Sequence, residues 1–305
     1  MDSRRHFLQL ATATALTTAM PGVASATTGF HGTFCLFSKH LPQLNWPTLA
    51  NTVKQLGFGG VDLTVRAQGH VLPERAAEDL PQAVAAIRKA GLSVPMISTN
   101  LLSATDPTAK PILETAGKLK IPFLKPGYYK YAFADVRSEL ARAMKEFAGL
   151  AELCKQNGLQ IGFHNHEGNL GAPIWDVATT IDKLDAQWAG YYFDIRHAVA
   201  EGGGGGWKIA LSLTAPRIKM IAVKDSFPEK TSRGWQQKNC PLGEGAVDWK
   251  AYFKMLKQAN FQGPISLHIE YDVVGKTPSE RHDNTIVAIQ RDFAFLQARV
   301  SEAYQ

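Results

Sequence analysis

The sequence predicts an α/β protein that folds as a single (β/α)8 TIM barrel. After residue 26, short apolar runs alternate with longer amphipathic stretches, and the short runs number eight. Strands that alternate with helices form a parallel sheet, and eight such units can close into a barrel. The chain has 305 residues, of which 45% are hydrophobic and 20% charged. This length and balance favour one large domain, which we place over residues 27–305.

The apolar runs give the expected strands, at residues 33–37, 60–63, 93–98, 121–124, 159–163, 190–193, 218–223 and 265–269. Glycines mark the ends of the helices between them: Gly57 follows the helix over 46–56, and Gly91 follows the helix over 76–90. Five glycines, Gly202–Gly206, come soon after the sixth strand. This run predicts a βα loop, either a mobile active-site loop or a plain flexible connection.

The first 26 residues predict a signal for export rather than part of the barrel. Arg4-Arg5 precedes a weakly hydrophobic segment, and Ala24-Ser25-Ala26 provides a small-x-small cleavage site. The paired arginines indicate the Tat export machinery as a partner. The segment is too short and too polar to span a membrane. We therefore expect a periplasmic or secreted protein without stable membrane insertion.

The composition argues against two classes of function. The formal net charge is +6, but the basic residues are scattered and form no stripe of the kind that binds nucleic acid. Three cysteines, Cys35, Cys154 and Cys240, match no zinc or redox motif and are expected to be buried or free. A small-molecule partner is therefore expected instead of a nucleic acid.

Ionisable residues follow the later strands, at the end of a barrel where catalytic groups lie. His164 and His166 share one face of strand five, because side chains alternate along a strand. His268 and Glu270 share one face of strand eight, and Asp194 ends strand six. A ring of imidazoles and carboxylates at one end of a barrel suits a divalent cation.

Further polar and aromatic residues near the strand ends are expected to bind the substrate. They are Asn100, Lys125, Tyr128, His197 and Trp207. Tyr129, Trp235 and Tyr271 could add aromatic walls to the same site. Lys224 follows strand seven and could act as an electrophile toward a carbonyl or form a structural salt bridge.

Six motifs, in their order along the chain, carry a resemblance to a known family. They are Gly-Phe-Gly-Gly-Val-Asp-Leu at 57–63, His-Asn-His at 164–166, Asp-x-x-His at 194–197, Val-Lys-Asp at 223–225, Pro-Leu-Gly-Glu-Gly-x-Val-Asp at 241–248 and His-x-Glu at 268–270. Together they resemble the sugar-phosphate isomerase/epimerase-like proteins, barrels related to xylose isomerase and the ketose epimerases. The resemblance covers nearly all of residues 30–300.

The resemblance implies one divalent ion, Mn²⁺ first and otherwise Zn²⁺, Co²⁺ or Mg²⁺. The family commonly holds it with Glu, Asp, His and Glu from strands five to eight. Asp194 and Glu270 match this pattern, while His164 stands in place of the first Glu and Ala222 in place of the His. The expected metal ligands are therefore His164, Asp194, His268 and Glu270.

The chemistry that the resemblance implies is removal of a proton beside a carbonyl, through an enediolate. Glu270, His166 and Lys224 are the expected catalytic residues. Because sugar phosphates are cytoplasmic, an exported relative is expected to act on a free sugar or a glycoside as an isomerase or epimerase.

Two alternatives remain open from the sequence. The same residues could serve a lyase that forms an enolate on a 3-keto-glycoside and expels the C1 substituent. A protein that has lost a metal ligand could instead bind sugars without catalysis, through its aromatic walls.

Overall fold

A computed structural model of the protein describes residues 29–305. Its eight parallel strands close into a barrel, so the predicted TIM barrel is confirmed. The barrel strands are β1 (Phe34–Phe37), β2 (Gly60–Val65), β3 (Ser93–Thr99), β4 (Phe123–Lys125), β5 (Gln160–His164), β6 (Ala189–Asp194), β7 (Ile218–Val223) and β10 (Ile265–Leu267). Around the barrel their order is β1-β10-β7-β6-β5-β4-β3-β2. The predicted signal segment, residues 1–26, lies outside the described residues.

Helices follow the strands and cover the outside of the barrel. They are α1 (Trp46–Gln55), α2 (Ala76–Lys89), α3 (Ala109–Lys118), α4 (Val136–Gln156), α5 (Trp175–Ile181), α6 (Ile195–Thr214), α7 (Trp249–Gln258) and α8 (Pro278–Tyr304). The large apolar core lies between these helices and the outer face of the strands. Among residues 29–305, no helix is both long enough and apolar enough to cross a membrane.

The inside of the barrel is filled by side chains. Met96, Tyr192, Met220 and Ala222 form a small buried cluster contributed by strands β3, β6 and β7. Asp62 is buried as well and accepts hydrogen bonds from two serine hydroxyls, on β3 and β10. Burial raises the pKa of Asp62 to about 6.

A β-hairpin is inserted between β7 and α7, which the strand count from the sequence does not include. β8 (Asp225–Thr231) and β9 (Gly234–Cys240) pair antiparallel, from Asp225 opposite Cys240 to Thr231 opposite Gly234. Most of the side chains between are polar or exposed, which hides the period-two pattern of a strand. Trp235 lies near the tip with 71% of its surface exposed.

The prediction that Gly202–Gly206 forms a βα loop is wrong. These glycines lie inside α6, which continues to Thr214 because Trp207 and Leu211 bury its apolar face. The helix is kinked at Gly203, where two helical segments meet and where the φ of 57° and ψ of −158° are accessible to glycine alone. No loop separates β6 from α6, because the strand ends at Asp194 and the helix begins at Ile195.

Candidate active site

Asp194 lies at the centre of the candidate site. It is both the last residue of β6 and the N-cap residue of α6. Its side chain caps the helix and accepts a hydrogen bond from the backbone N–H of His197 at 3.3 Å. Asn165 fixes the backbone of Asp194 from the neighbouring strand through two hydrogen bonds, of 2.8 and 2.9 Å. The carboxylate is completely buried. Its position is therefore set by the fold and not by a flexible loop.

Three side chains approach the same oxygen of Asp194. His164 Nε2 lies 3.2 Å from Oδ2, and Lys224 Nζ lies 3.2 Å from it. His197 Nε2 is 3.7 Å away, and this nitrogen has no hydrogen-bond partner within the described residues. The Asp-x-x-His spacing explains the last contact, because the residue three positions after an N-cap lies over the cap.

Lys224 joins Asp194 to Glu270. Its ammonium donates a 2.8 Å hydrogen bond to Glu270 Oε2, and its side chain is almost fully buried. Lys39, which follows β1, donates to the other oxygen, Oε1, at 2.9 Å. The result is a chain of alternating charges, Asp194–Lys224–Glu270–Lys39, that runs from the buried centre to the surface.

The charge states follow from this geometry. Burial opposes ionisation of Asp194 and Glu270, but the Lys224 ammonium and the other groups around each carboxylate together outweigh it and hold both pKa values well below their usual range. Burial also opposes the charge of Lys224, yet the two carboxylates raise its pKa. Burial lowers the pKa of His164, and lowers that of His197 to about 4. The site thus combines two carboxylates, one ammonium and two neutral imidazoles.

One group of three residues within 29–305 could hold a metal ion. Its members are His164, Asp194 and His197, and their ligand atoms lie within 4.8 Å of one another. Two neutral imidazoles and a carboxylate suit a divalent transition metal. The unpartnered Nε2 of His197 also fits a ligand, because a buried nitrogen without a partner is costly.

This group differs from the predicted ligand set in two members. Glu270 lies across Lys224 and is occupied by two ammonium groups. His268 is turned away: its ring stacks on Phe37 at 4.3 Å, and Tyr192 OH lies 3.2 Å from its Nε2. The expectation that His268 joins the metal group therefore needs correction. His197, expected to bind substrate, takes its place because Asp194 caps the helix that carries it.

Lys125 and Tyr128 form a second wall of the site. Lys125 ends β4, is 98% buried, and has no hydrogen-bond partner for Nζ among residues 29–305. Its ammonium lies 3.7 Å from the centroid of the Tyr128 ring. The Tyr128 hydroxyl is 3.2 Å from His164 Nδ1 and so links this wall to Asp194. Lys125 and Tyr128 are two of the residues that the sequence predicts to bind the substrate.

His166 lies at the edge of the site where solvent can reach it. Its ring is 3.9 Å from that of His197 and 4.3 Å from that of Tyr128. Burial lowers its pKa, so the imidazole is neutral at pH 7. Just beyond it, Glu167 forms an ion pair with Arg196 of α6. His166, Tyr128 and Glu270 are partly exposed, whereas the groups beneath them are buried.

Two of the predicted substrate-binding residues lie outside this cluster. Trp207 is almost completely buried in the apolar core, with its ring 6.3 Å from that of Tyr252 on α7. Its place in the substrate site therefore needs correction: α6 turns its apolar face to the core, and the indole goes with it. Asn100 is exposed just after β3, beside Gly127.

Sequence reasoning did not find Lys39 or Asp225 as parts of the site. Lys39 lies in a short turn after β1 and carries no motif. Asp225 belongs to Val-Lys-Asp, but its role depends on the distant segment 241–248. Its carboxylate accepts hydrogen bonds from Trp249 Nε1 at 2.9 Å and from backbone N–H groups that include Gly243 and Gly245. The two motifs thus hold each other in place behind Lys224.

An open cleft borders the cluster at Glu270. It has a volume of about 610 Å³ and includes Lys39, His40, Ile269 and Tyr271 among its lining residues. Lys39 belongs to both the cleft and the charge chain, while His164 and Asp194 lie deeper than the cleft reaches. The cleft therefore meets the charge chain at Lys39.

Comparison with known proteins agrees with this architecture. The inosose dehydratase of Clostridium perfringens is 25% identical over 142 residues, which are 43% of this chain and 47% of that protein. The chain thus matches about half the length of this curated relative. A xylose isomerase-like TIM barrel protein of Mycobacterium smegmatis, solved in complex with magnesium, superposes with a TM-score of 0.64 at 16% identity, covering 85% of this chain and 89% of that one.

The structure of 3-keto-D-glucoside 4-epimerase from E. coli superposes with a TM-score of 0.65 at 13% identity and covers 88% of this chain and 99% of that one. At these identities the structural likeness concerns the fold alone. The sequence profile of the xylose isomerase-like TIM barrel family matches residues 50–298, which include β2 to β10 and most of the candidate site. The chain therefore belongs to the xylose isomerase-like TIM barrel family.

Proposed function

We propose that the protein is a carbohydrate-modifying enzyme that removes a proton from the carbon beside a carbonyl, as an isomerase or epimerase of a free sugar or glycoside. The observation that carries this proposal is the buried Lys224 ammonium, held between Asp194 and Glu270 beside neutral imidazoles. Proton abstraction beside a carbonyl needs a cation or hydrogen-bond donor at the developing oxyanion and an unprotonated base next to the carbon. The site offers both at the end of the barrel where this fold carries its chemistry.

Lys224 stabilises the enediolate oxygen in this mechanism. Its charge is fixed by two carboxylates, and its site is largely dry, so its electrostatic effect is stronger than in water. The substrate carbonyl approaches from the solvent side of the site, where His166, Tyr128 and Glu270 are partly exposed. Lys125 and Tyr128, on the opposite wall, bind substrate hydroxyl groups; the unpartnered Lys125 Nζ gains a hydrogen bond when they do.

His166 is the better base of the two predicted. Glu270 accepts hydrogen bonds from two ammonium groups, which hold its pKa well below the usual range and make it a weak base. His166 is neutral and partly exposed, so it can take the proton from carbon. Returning that proton to the neighbouring carbon, while the hydroxyl proton moves to the former carbonyl oxygen, completes an isomerisation. An epimerisation needs a proton from a second donor, such as water, on the opposite face of the same carbon. Glu270 then positions Lys224.

A divalent ion, Mn²⁺ first and otherwise Zn²⁺, Co²⁺ or Mg²⁺, would be held by His164, Asp194 and His197. When bound, it would supply a second positive charge to polarise the substrate oxygen. The donor atoms are of the right kind and close enough together.

An unphosphorylated substrate follows from the proposed location. The twin-arginine segment and the Ala-Ser-Ala site support export to the periplasm or beyond. Sugar phosphates are cytoplasmic metabolites, so a free sugar or glycoside is the substrate available to an exported enzyme.

A lyase is the second candidate, supported by the names of two similar proteins. One is a dehydratase and another acts on a 3-keto-glucoside. On a 3-keto-glycoside, His166 would take the proton from C2, the electron pair would form the C1–C2 double bond, and the C1–O bond would break. The departing alkoxide would leave as an alcohol after taking a proton from Lys224 or water.

The decisive experiment follows hydrogen exchange in D₂O by ¹H NMR. Purified protein is incubated with D-fructose, with D-psicose and with 3-keto-glucosides. Loss of the signal of the hydrogen beside the carbonyl, with or without a new sugar, supports proton abstraction, and release of the aglycone identifies the lyase. Binding of these sugars without any exchange would contradict the enzyme and leave the sugar-binding protein.

A further inference from the structure

We propose that Lys224 is the resident cation of this site, and that a divalent ion binds only by displacing it from Asp194. The inference deepens the proposed function, on which its catalytic meaning rests. It concerns a competition between a side chain and an ion for one carboxylate. It is tested by metal affinity, which is measured without any sugar.

The competition is for a single oxygen. Asp194 Oδ2 lies 3.2 Å from Lys224 Nζ, 3.2 Å from His164 Nε2 and 3.7 Å from His197 Nε2. An ion bound to the imidazoles and the carboxylate would lie about 2.0–2.2 Å from its donors. The ammonium would then be a second cation on the ligand oxygen of a dication. Their repulsion in a buried site is large, so only one of them can occupy the oxygen.

Strand β7 explains why the ammonium is there. Ala222 lies next to Asp194 in the register of β6 and β7 and faces the barrel interior with Met220. A methyl group at this position offers no ligand to an ion. Lys224 is two residues further on and points to the same side, because strand side chains alternate. β7 therefore carries a methyl group at the ligand position, Ala222, and a positive charge two residues further on, at Lys224.

The charges of the site are already balanced without an ion. The carboxylates of Asp194 and Glu270 face the ammonium groups of Lys224 and Lys39. Adding a dication would give the site two positive charges that no carboxylate compensates. Lys39 can turn to solvent, since its side chain is 47% exposed, but the side chain of Lys224 is 4% exposed and stays buried when an ion displaces it from Asp194. Lys224 is thus the residue that sets metal affinity.

The test compares Mn²⁺ binding by isothermal titration calorimetry in the full mature chain. Lys224→Gln removes the charge, and Lys224→Arg keeps it. Lys219→Gln is the matched control, because Lys219 lies on the same strand but bonds backbone carbonyl groups of Ala186 and Gln187. We expect Lys224→Gln to bind Mn²⁺ at least about tenfold more tightly than wild type, with both other variants unchanged. Equal affinity in wild type and Lys224→Gln would overturn the inference.

A second measurement covers the case in which Lys224→Gln is poorly folded. Lys224→Gln leaves the buried Asp194 carboxylate without its ammonium partner, which destabilises the protein, and a bound ion restores the balance. Mn²⁺ should therefore raise the melting temperature of Lys224→Gln more than that of wild type. The double change Ala222→His with Lys224→Gln should tighten Mn²⁺ binding further. If Mn²⁺ neither binds nor stabilises these variants, there is no such ion site and the inference fails. Sugar turnover does not enter either readout, so the proposed function stands or falls separately.

Discussion

The ammonium of Lys125 lies 3.7 Å above the ring of Tyr128 and has no hydrogen-bond partner among residues 29–305. Burial lowers the pKa of this lysine from 10.5 to about 7. An unpaired ammonium buried in this position lowers the free energy of unfolding of the protein. In the proposed function, a substrate hydroxyl would supply the missing partner at this end of β4.

Replacing Lys125 with methionine should stabilise the protein, and the gain should depend on pH. The unfolded lysine binds its proton up to pH 10.5 and the folded one only up to about 7. The folded state therefore carries the full penalty below pH 7, and the penalty shrinks as pH rises toward 10.5. We expect Lys125→Met to raise the free energy of unfolding by about 2 kcal/mol or more at pH 6 and by much less at pH 9.5. Urea denaturation at both pH values measures this, with exposed Lys130→Met as control. An equal gain at the two pH values would rule out the unpaired charge as its cause.

His166→Gln should abolish proton exchange without unfolding the protein. The variant keeps a polar side chain of similar size at a partly exposed position. Loss of a general base lowers turnover by about 10²- to 10⁴-fold. Initial rates of deuterium exchange by NMR measure the effect, and His31→Gln, at an exposed position outside the site, is the control. A His166→Gln variant with wild-type rates would remove this residue from the mechanism.

Asp194→Asn separates the structural role of this residue from its charge. Asparagine is as good an N-cap as aspartate, so α6 should keep its beginning. Lys224 loses one of its two carboxylate partners, and a buried ion pair broken on one side costs about 3 kcal/mol. We expect a lower melting temperature and strongly reduced exchange activity. Asp248→Asn, the same change at the N-cap of α7, should leave both nearly unchanged. A similar loss in the two variants would show that capping alone explains the effect.

Gly245→Ala should disrupt the segment that wraps Asp225. A Cβ atom at position 245 would lie 2.1 Å from Asp225 Oδ1, and the buried carboxylate has no room to move. The backbone N–H of Gly245 would then lose its hydrogen bond to this carboxylate. We expect a loss of about 2 kcal/mol or more in the free energy of unfolding. Gly204→Ala meets no atom within 4 Å and should be neutral or slightly stabilising. Chemical denaturation compares the two, and equal stabilities would show that the segment relaxes freely.

Much of the fold could be predicted because each strand and helix carries a local signal. The strand before His164 is short and apolar, and Gly158 stops the helix before it. The hairpin and the course of α6 carry weaker signals. Five glycines disfavour a helix by propensity alone, but packing of Trp207 and Leu211 overrides that preference.

The sequence predicts which strand ends carry ionisable residues, but not which of these residues contact one another. Asp194, His164 and Lys224 follow from strand ends and alternation, because those rules place side chains at one end of a barrel. His197 lies in the metal group in place of the predicted His268 because of how the first turn of α6 lies over its N-cap, Asp194. Whether the Lys224 ammonium or a divalent ion binds Asp194 depends on the side-chain conformation of Lys224, which no sequence pattern predicts.

The pairing of β1 with β10 has a consequence for how the chain folds. Phe34 lies opposite Ile265, so the first strand of the barrel hydrogen-bonds to the last one, 231 residues further along. Until residues 265–267 are in place, β1 and β7 each present an open edge to solvent. Open edges recruit strands from other chains and lead to aggregation. A nascent or truncated chain that ends before β10 is therefore the form of this protein that most needs protection by a chaperone.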